Sequence, residues 1–156
     1  MAHSASIPNR VGVPGAAPAR TRLEASRDAP AHARRFARHV LAGHGAGGEF
    51  LERAELLVSE VVTNAVVHAG TPVWLSVSVA DGVVHIEAED EGGGWVARRE
   101  PGNLRGPCAG YGLWLVDSLA ESWGVEHGNA DNERQGQPED ARTKTKRVWL
   151  RLLLPL

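Results

Sequence analysis

Glu60, Asn64 and His68 lie four residues apart, so on a helix they stack along one stripe. That stripe runs beside an apolar one made by Leu51, Ala54, Val58, Val61, Ala65 and Val66. A carboxylate and an amide at such a border can do chemistry. Hard cations such as Mg²⁺ take oxygen ligands and keep several waters, so one protein amide plus phosphate oxygens makes a workable site. A carboxylate one turn away can orient or deprotonate an incoming hydroxyl. Taken alone, the same three residues also read as the polar edge of an amphipathic helix.

Two further stretches have similar double readings. In Asp90-Glu91-Gly92-Gly93-Gly94 an aspartate ends an apolar alternating run. It could accept a hydrogen bond from an exocyclic amine such as adenine N6, and the glycines after it let backbone approach a flat base. An ordinary acidic strand exit would look the same. Gly110-Tyr111-Gly112-Leu113 opens an apolar helical run. A helix N-terminus presents free N–H groups and the positive end of its dipole, which phosphates can reach past glycines. A plain Gly-rich turn into a helix is the alternative.

The elements that must position these stretches can be read from periodicity and punctuation. Residues 1–19 are rich in Pro, Gly, Ala and Ser without periodicity, as in a disordered tail. A short strand is expected over 20–26. Asp28 as N-cap and Pro30 in the first turn start a helix to about Leu41, with Ala33, Phe36 and Val40 as its apolar stripe. A second helix spans about 49–69, stopped by Gly70 and Pro72. Val73 to Val79 and Val84 to Asp90 alternate as strands about an Asp81-Gly82 hairpin turn. Residues 91–109 read as a loop, 111–122 as a helix and 123–127 as a strand. A polar loop is expected over 128–145, followed by a last strand over 148–154. The order β-α-α-β-β-loop-α-β-β implies an α+β fold, one sheet covered by helices on one face.

Bulk composition excludes several functions. The 156 residues fit one domain of about 20–156 behind the tail. Seventeen basic residues against nineteen acidic ones, net −2, disfavour general polyanion binding. Arg34, Arg35 and Arg38 therefore read as a solvated face or a protein contact, not a nucleic-acid surface. Cys108 is the sole cysteine, so no disulfide forms within the chain. No apolar run approaches a membrane span and the N-terminus has no apolar signal core, which makes a cytoplasmic protein the expectation. No Cys or His pair has zinc spacing.

Glu-x-x-x-Asn-Ala on a helix, then a hairpin, then Asp-x-Gly-x-Gly, a loop and Gly-x-Gly-Leu into a helix form an ordered set. This set resembles the GHKL (Bergerat-fold) ATPase and kinase superfamily. The run from Leu56 to Ala69, with Leu115-Val116-Asp117 and Trp123-Gly124-Val125, looks most like its anti-sigma-factor serine/threonine kinase branch (RsbW/SpoIIAB-like, common in actinobacteria). The resemblance implies a two-layer α/β sandwich with a mixed, mostly antiparallel sheet. It implies Mg²⁺ and ATP as ligands, with Asn64 holding the metal and Glu60 as general base or water-orienting residue. Asp90 would read adenine N6, Gly92 and Gly94 would line the base pocket, and Gly110, Gly112 and Leu113 would meet the phosphates at the hinge of a lid over about 91–109. His68 falls where the family often has an aromatic or His, in a structural role.

The implied activity is sequestration of a sigma factor and phosphorylation of a STAS-type antagonist protein, with a homodimer as the expected assembly. A nucleotide-binding interaction module without useful catalysis is the alternative from another class. One position departs from the pattern. The family often carries Gly-Lys-Thr before its last strand, the Thr assisting adenine binding. Here Thr145-Lys146-Arg147 stands in that place, so Arg147 occupies the Thr position, with Thr143 or Thr145 as substitutes.

Overall fold

A computed structural model describes residues 17–92, 111–129 and 144–155. The elements are β1 (Ala19–Leu23), α1 (Ala29–Gly43), α2 (Gly48–Ala69), β2 (Val73–Ala80), β3 (Val83–Asp90), α3 (Tyr111–Leu119), β4 (Ser122–Asn129) and β5 (Lys144–Leu153). The strands form one sheet in the order β1-β2-β3-β5-β4. All four pairings are antiparallel, in keeping with the mostly antiparallel sheet expected.

Alternation divides the sheet into two faces. Leu23, Val73, Leu75, Val77, Val84, Ile86, Ala88, Val148, Leu150 and Leu152 all point to one face and are buried. The helices close over them. On α2 the covering residues are Phe50, Leu51, Ala54, Leu57, Val58, Val61, Val62 and Ala65. On α1 they are Ala29, Ala33, Ala37 and Leu41, a row at four-residue spacing. Phe36 and Val40, expected in that stripe, flank it and are only partly buried. The three alanines on this row let the α1 backbone approach its neighbours closely, so the larger side chains move to the margin.

Local signals explain the element ends. Pro30 sits in the first turn of α1, while Asp28 occupies the N-cap without a side-chain cap bond. Gly70 ends α2 at φ 63°, ψ 18°, and its N–H donates to the Val66 carbonyl. Asp81 and Gly82 both take positive φ (51° and 74°), the hairpin geometry that follows strand twist. Arg34 donates to Ser59 Oγ at 2.9 Å and Arg38 pairs with Glu55, so the arginines of α1 clasp α2.

β5 begins four residues before its expected start, and β4 runs on to Asn129, so both ends of the expected 128–145 loop are strand. Residues 130–143 and 1–16 lie outside the described residues, as does most of the expected lid. Among the described residues no helix is long and apolar enough to cross a membrane.

Candidate functional site

Asp90 is the last residue of β3, and its side chain lies on the inner face that Val84, Ile86 and Ala88 occupy before it. It is 1% exposed. Its cross-strand partners in the sheet are Val73 on β2 and Lys146 on β5. Lys146 precedes Val148, Leu150 and Leu152 on the same inner row and is also 1% exposed. Its Nζ lies 3.4 Å from Asp90 Oδ2. The other carboxylate oxygen, Oδ1, accepts a hydrogen bond from the Gly92 N–H at 2.9 Å. One oxygen is thus fixed by backbone, and the other makes no hydrogen bond among the described residues.

The exit of β3 is braced by the end of α2. Glu91 N donates to Thr71 Oγ1 at 3.1 Å. A Cβ built on Gly92 would stand 2.5 Å from Ala69 Cβ and 3.0 Å from Ala69 Cα. Position 92 therefore has no room for a side chain, and its glycine allows the strand exit to lie against the helix. The same approach brings the backbone of Gly92 within reach of Asp90.

α2 also carries Glu60 and Asn64, one turn apart and both half-buried beside the buried Val61 and Ala65. Partial burial pushes the Glu60 carboxyl above its ordinary value, because desolvation disfavours the anion. A carboxylate so placed is a better proton acceptor than one in water. Asn64 Nδ2 is buried without a hydrogen-bond partner among the described residues. That unpaired atom is a donor, and the amide shares its stripe with the desolvated Glu60 carboxylate. His68, next along the stripe, is exposed on the last turn and packs into no core.

A Mg²⁺ ion fits this donor set. The described residues contain no group of three or more His, Cys, Asp or Glu that could cage a metal. An ion held by one amide oxygen, phosphate oxygens and water needs no such cage.

Gly112 lies in the first turn of α3 directly after its first residue, Tyr111, and Leu113 follows on the same turn. Val116 anchors this helix in the core, and Asp117 Oδ1 accepts from Trp123 Nε1 at 2.9 Å, tying it to β4. Gly94 and Gly110 lie outside the described residues.

Arg147, expected at the position of an adenine-assisting Thr, turns to the opposite face of the sheet. There it binds Glu89 at 2.7 Å, with Glu126 at 3.5 Å and Glu87 at 3.8 Å. Burial works to lower its pKa, but the Glu89 bond and the three carboxylates outweigh that and hold it above the ordinary value. Thr145 shares Arg147's parity on β5 and pairs with Gly128, so it does not stand on Asp90's face either. Thr143 lies outside the described residues. The residue that β5 does deliver to Asp90 is Lys146. Its signal in the sequence was the alternation Lys146, Val148, Leu150, Leu152, which extends the strand backward by one inner-face position.

A family model described as a histidine kinase-like ATPase domain matches residues 23–135. Among solved structures, the RsbU and RsbW domains of Rv1364c from Mycobacterium tuberculosis match at 20% identity with a TM-score of 0.57. That match covers 88% of this chain and 33% of the other, so the chain spans about a third of the structure it resembles. A search of curated proteins finds no match.

Proposed function

Because the chain belongs to the histidine kinase-like ATPase domain family, we propose that it binds Mg-ATP between α2, the β3 exit and the start of α3, as a serine/threonine kinase of the anti-sigma regulatory type. The observation that carries this reading is the placing on one stripe of α2, a turn apart and both half-buried, of a desolvated carboxylate, Glu60, and an amide, Asn64, whose oxygen suits a hard cation. Asp90 supplies the acceptor for the base, and its carboxylate is oriented by the Gly92 N–H. Gly112 and Leu113 lie in the N-terminal turn of α3, the part of a helix whose N–H groups phosphates can reach.

Asn64 Oδ1 would hold Mg²⁺, which when bound neutralises phosphate charge during transfer. Glu60 takes the proton of a Ser or Thr hydroxyl on the substrate protein as that oxygen bonds to the γ-phosphorus and ADP leaves. Such transfer depends mostly on positioning and charge neutralisation. The expected partners are a sigma factor, which the chain sequesters, and a STAS-type antagonist, which it phosphorylates. The RsbW domain in the matched structure supports this assignment at the level of fold.

The test is transfer of labelled γ-phosphate from ATP to antagonist proteins encoded near the gene. Label on the antagonist with wild type, and none with Glu60→Ala, is the expected result. ATP binding and partner repression that survive Glu60→Ala, with no transfer by wild type, would instead identify a non-catalytic, ATP-dependent interaction module.

A further inference from the structure

We infer that Lys146 is a base-reading residue, donating to the ring nitrogen N1 of the adenine whose N6 amine Asp90 accepts. This rests on the proposed nucleotide site and adds a contact to it.

The observation is the position of Lys146 on the inner face of β5, directly across from Asp90, with both side chains 1% exposed and Nζ 3.4 Å from Oδ2. A lysine at the end of a row of Val148, Leu150 and Leu152 is costly to bury without a role for its charge. Asp90 gives it a counter-ion. That alone leaves donor capacity, since an ammonium carries three N–H groups and a single carboxylate oxygen faces it.

Together the two side chains place an acceptor and a donor side by side. The Watson–Crick edge of adenine has the complementary order, N6–H as donor beside N1 as acceptor. Oδ1 is engaged by Gly92 N–H, so Oδ2 is the oxygen with a lone pair to offer. It is also the oxygen that the ammonium covers. For the amine to reach Oδ2, Nζ must move aside on its flexible stem. It remains near the carboxylate when it does so, because a buried Asp90 facing only a neutral amine would lose its counter-charge. The adjacent acceptor on the base, N1, is where its next N–H goes. Neither Arg147 nor Thr145 can make this contact, because both project to the other side of β5.

Calorimetric titration of the full chain with ATP, 1-deaza-ATP and purine riboside triphosphate tests the inference. These probes keep the triphosphate and remove, in turn, N1 and the N6 amine. Wild type is expected to bind 1-deaza-ATP about ten- to hundredfold more weakly than ATP, the effect of losing a charge-assisted hydrogen bond. Lys146→Met should weaken ATP by a similar factor and bind ATP and 1-deaza-ATP equally. Equal binding of the two by wild type overturns the inference, and that comparison needs no variant to fold. Full discrimination retained by Lys146→Met, which would place the N1 donor elsewhere, also overturns it. Discrimination against purine riboside triphosphate alone would leave Asp90 as base reader and remove Lys146 from that role. Wild type that binds none of the three would defeat the nucleotide site itself, a result distinct from binding without N1 discrimination.

Discussion

Asp90 and Lys146 face each other across β3 and β5 at the end of two apolar rows, each 1% exposed, with Nζ 3.4 Å from Oδ2. Breaking a buried pair by removing one partner leaves an uncompensated charge, at about 3–5 kcal/mol. Asp90→Asn and Lys146→Met should each lower unfolding stability by that order in urea titration. The double variant should lose less than the sum, because neither charge is then stranded. Additive losses would show that the two side chains do not act as a pair.

Asp90→Asn should also weaken recognition of the base, since the Gly92 N–H claims the one amide oxygen and leaves a donor where the adenine amine needs an acceptor. Calorimetry should show ATP binding reduced about a hundredfold or more, the scale of a site's polar group being mismatched. Binding retained within about threefold would mean that the base is read elsewhere.

The placement of several residues of this candidate site was legible in the sequence. Glu60 and Asn64 declared themselves by four-residue spacing on a strongly periodic helix, and Asp90 by closing an alternating run. The Asp81-Gly82 turn fixed the β2–β3 register that places Asp90 on the inner face. Lys146 was not legible in the same way. Its neighbours Thr145 and Arg147 are polar, so the start of β5 merged with the charged segment before it. The alternation with Val148, Leu150 and Leu152 puts Lys146 on the inner row, and the pairing with β3 sets it opposite Asp90 while Arg147 faces Glu89. The buried row of α1 differs from the expected stripe for a related reason. Alanine carries little hydrophobic signal, yet Ala29, Ala33 and Ala37 form the buried row because closeness of approach decided the helix's rotation.

Glu60 sets a pH dependence whose sign follows from its burial. Its folded pKa is raised by desolvation, so the folded state holds the proton to higher pH than the unfolded chain does. Stability therefore falls as pH rises from the unfolded value through the raised folded value, and stays reduced above it. Glu60→Gln should remove this decline and make the protein more stable than wild type at neutral pH, as measured by urea titration across pH 4 to 8 (about the span of carboxylate titration). The same variant should lose about 10²- to 10⁴-fold in phosphoryl transfer, the usual share of a general base. A variant less stable than wild type at neutral pH would contradict the desolvation argument.

Gly92 is held against α2 with no space for a Cβ, which would meet Ala69 Cβ at 2.5 Å. Gly92→Ala must push the β3 exit away from the helix and disturb the N–H bond to Asp90 Oδ1. Overpacking of this kind costs about 1–3 kcal/mol, and ATP affinity should fall with it. Ala69→Gly removes the nearer atom struck and leaves only the tight approach to the Cα at 3.0 Å, so Gly92→Ala with Ala69→Gly should recover part of the lost affinity. Thermal unfolding and ATP titration of the three variants check this. Failure of the second substitution to restore affinity would assign the glycine a backbone role other than clearance.

Asn64 separates the cost of a site from its use. Its Nδ2 is buried without a partner among the described residues, in the C-terminal third of α2. Asn64→Ala removes that unpaired group and substitutes a better helix former, worth about 0.5 kcal/mol. The unliganded protein should therefore be as stable as wild type or slightly more so. The loss should appear only with the metal. Wild type should bind ATP more tightly with Mg²⁺ than with a chelator, and Asn64→Ala should show the same weak affinity in both. If the variant keeps the Mg²⁺ enhancement, the ion is held by other residues. If the unliganded variant instead unfolds more readily by several kcal/mol, roughly the cost of a broken buried network, the amide is structural and its partner lies within the fold.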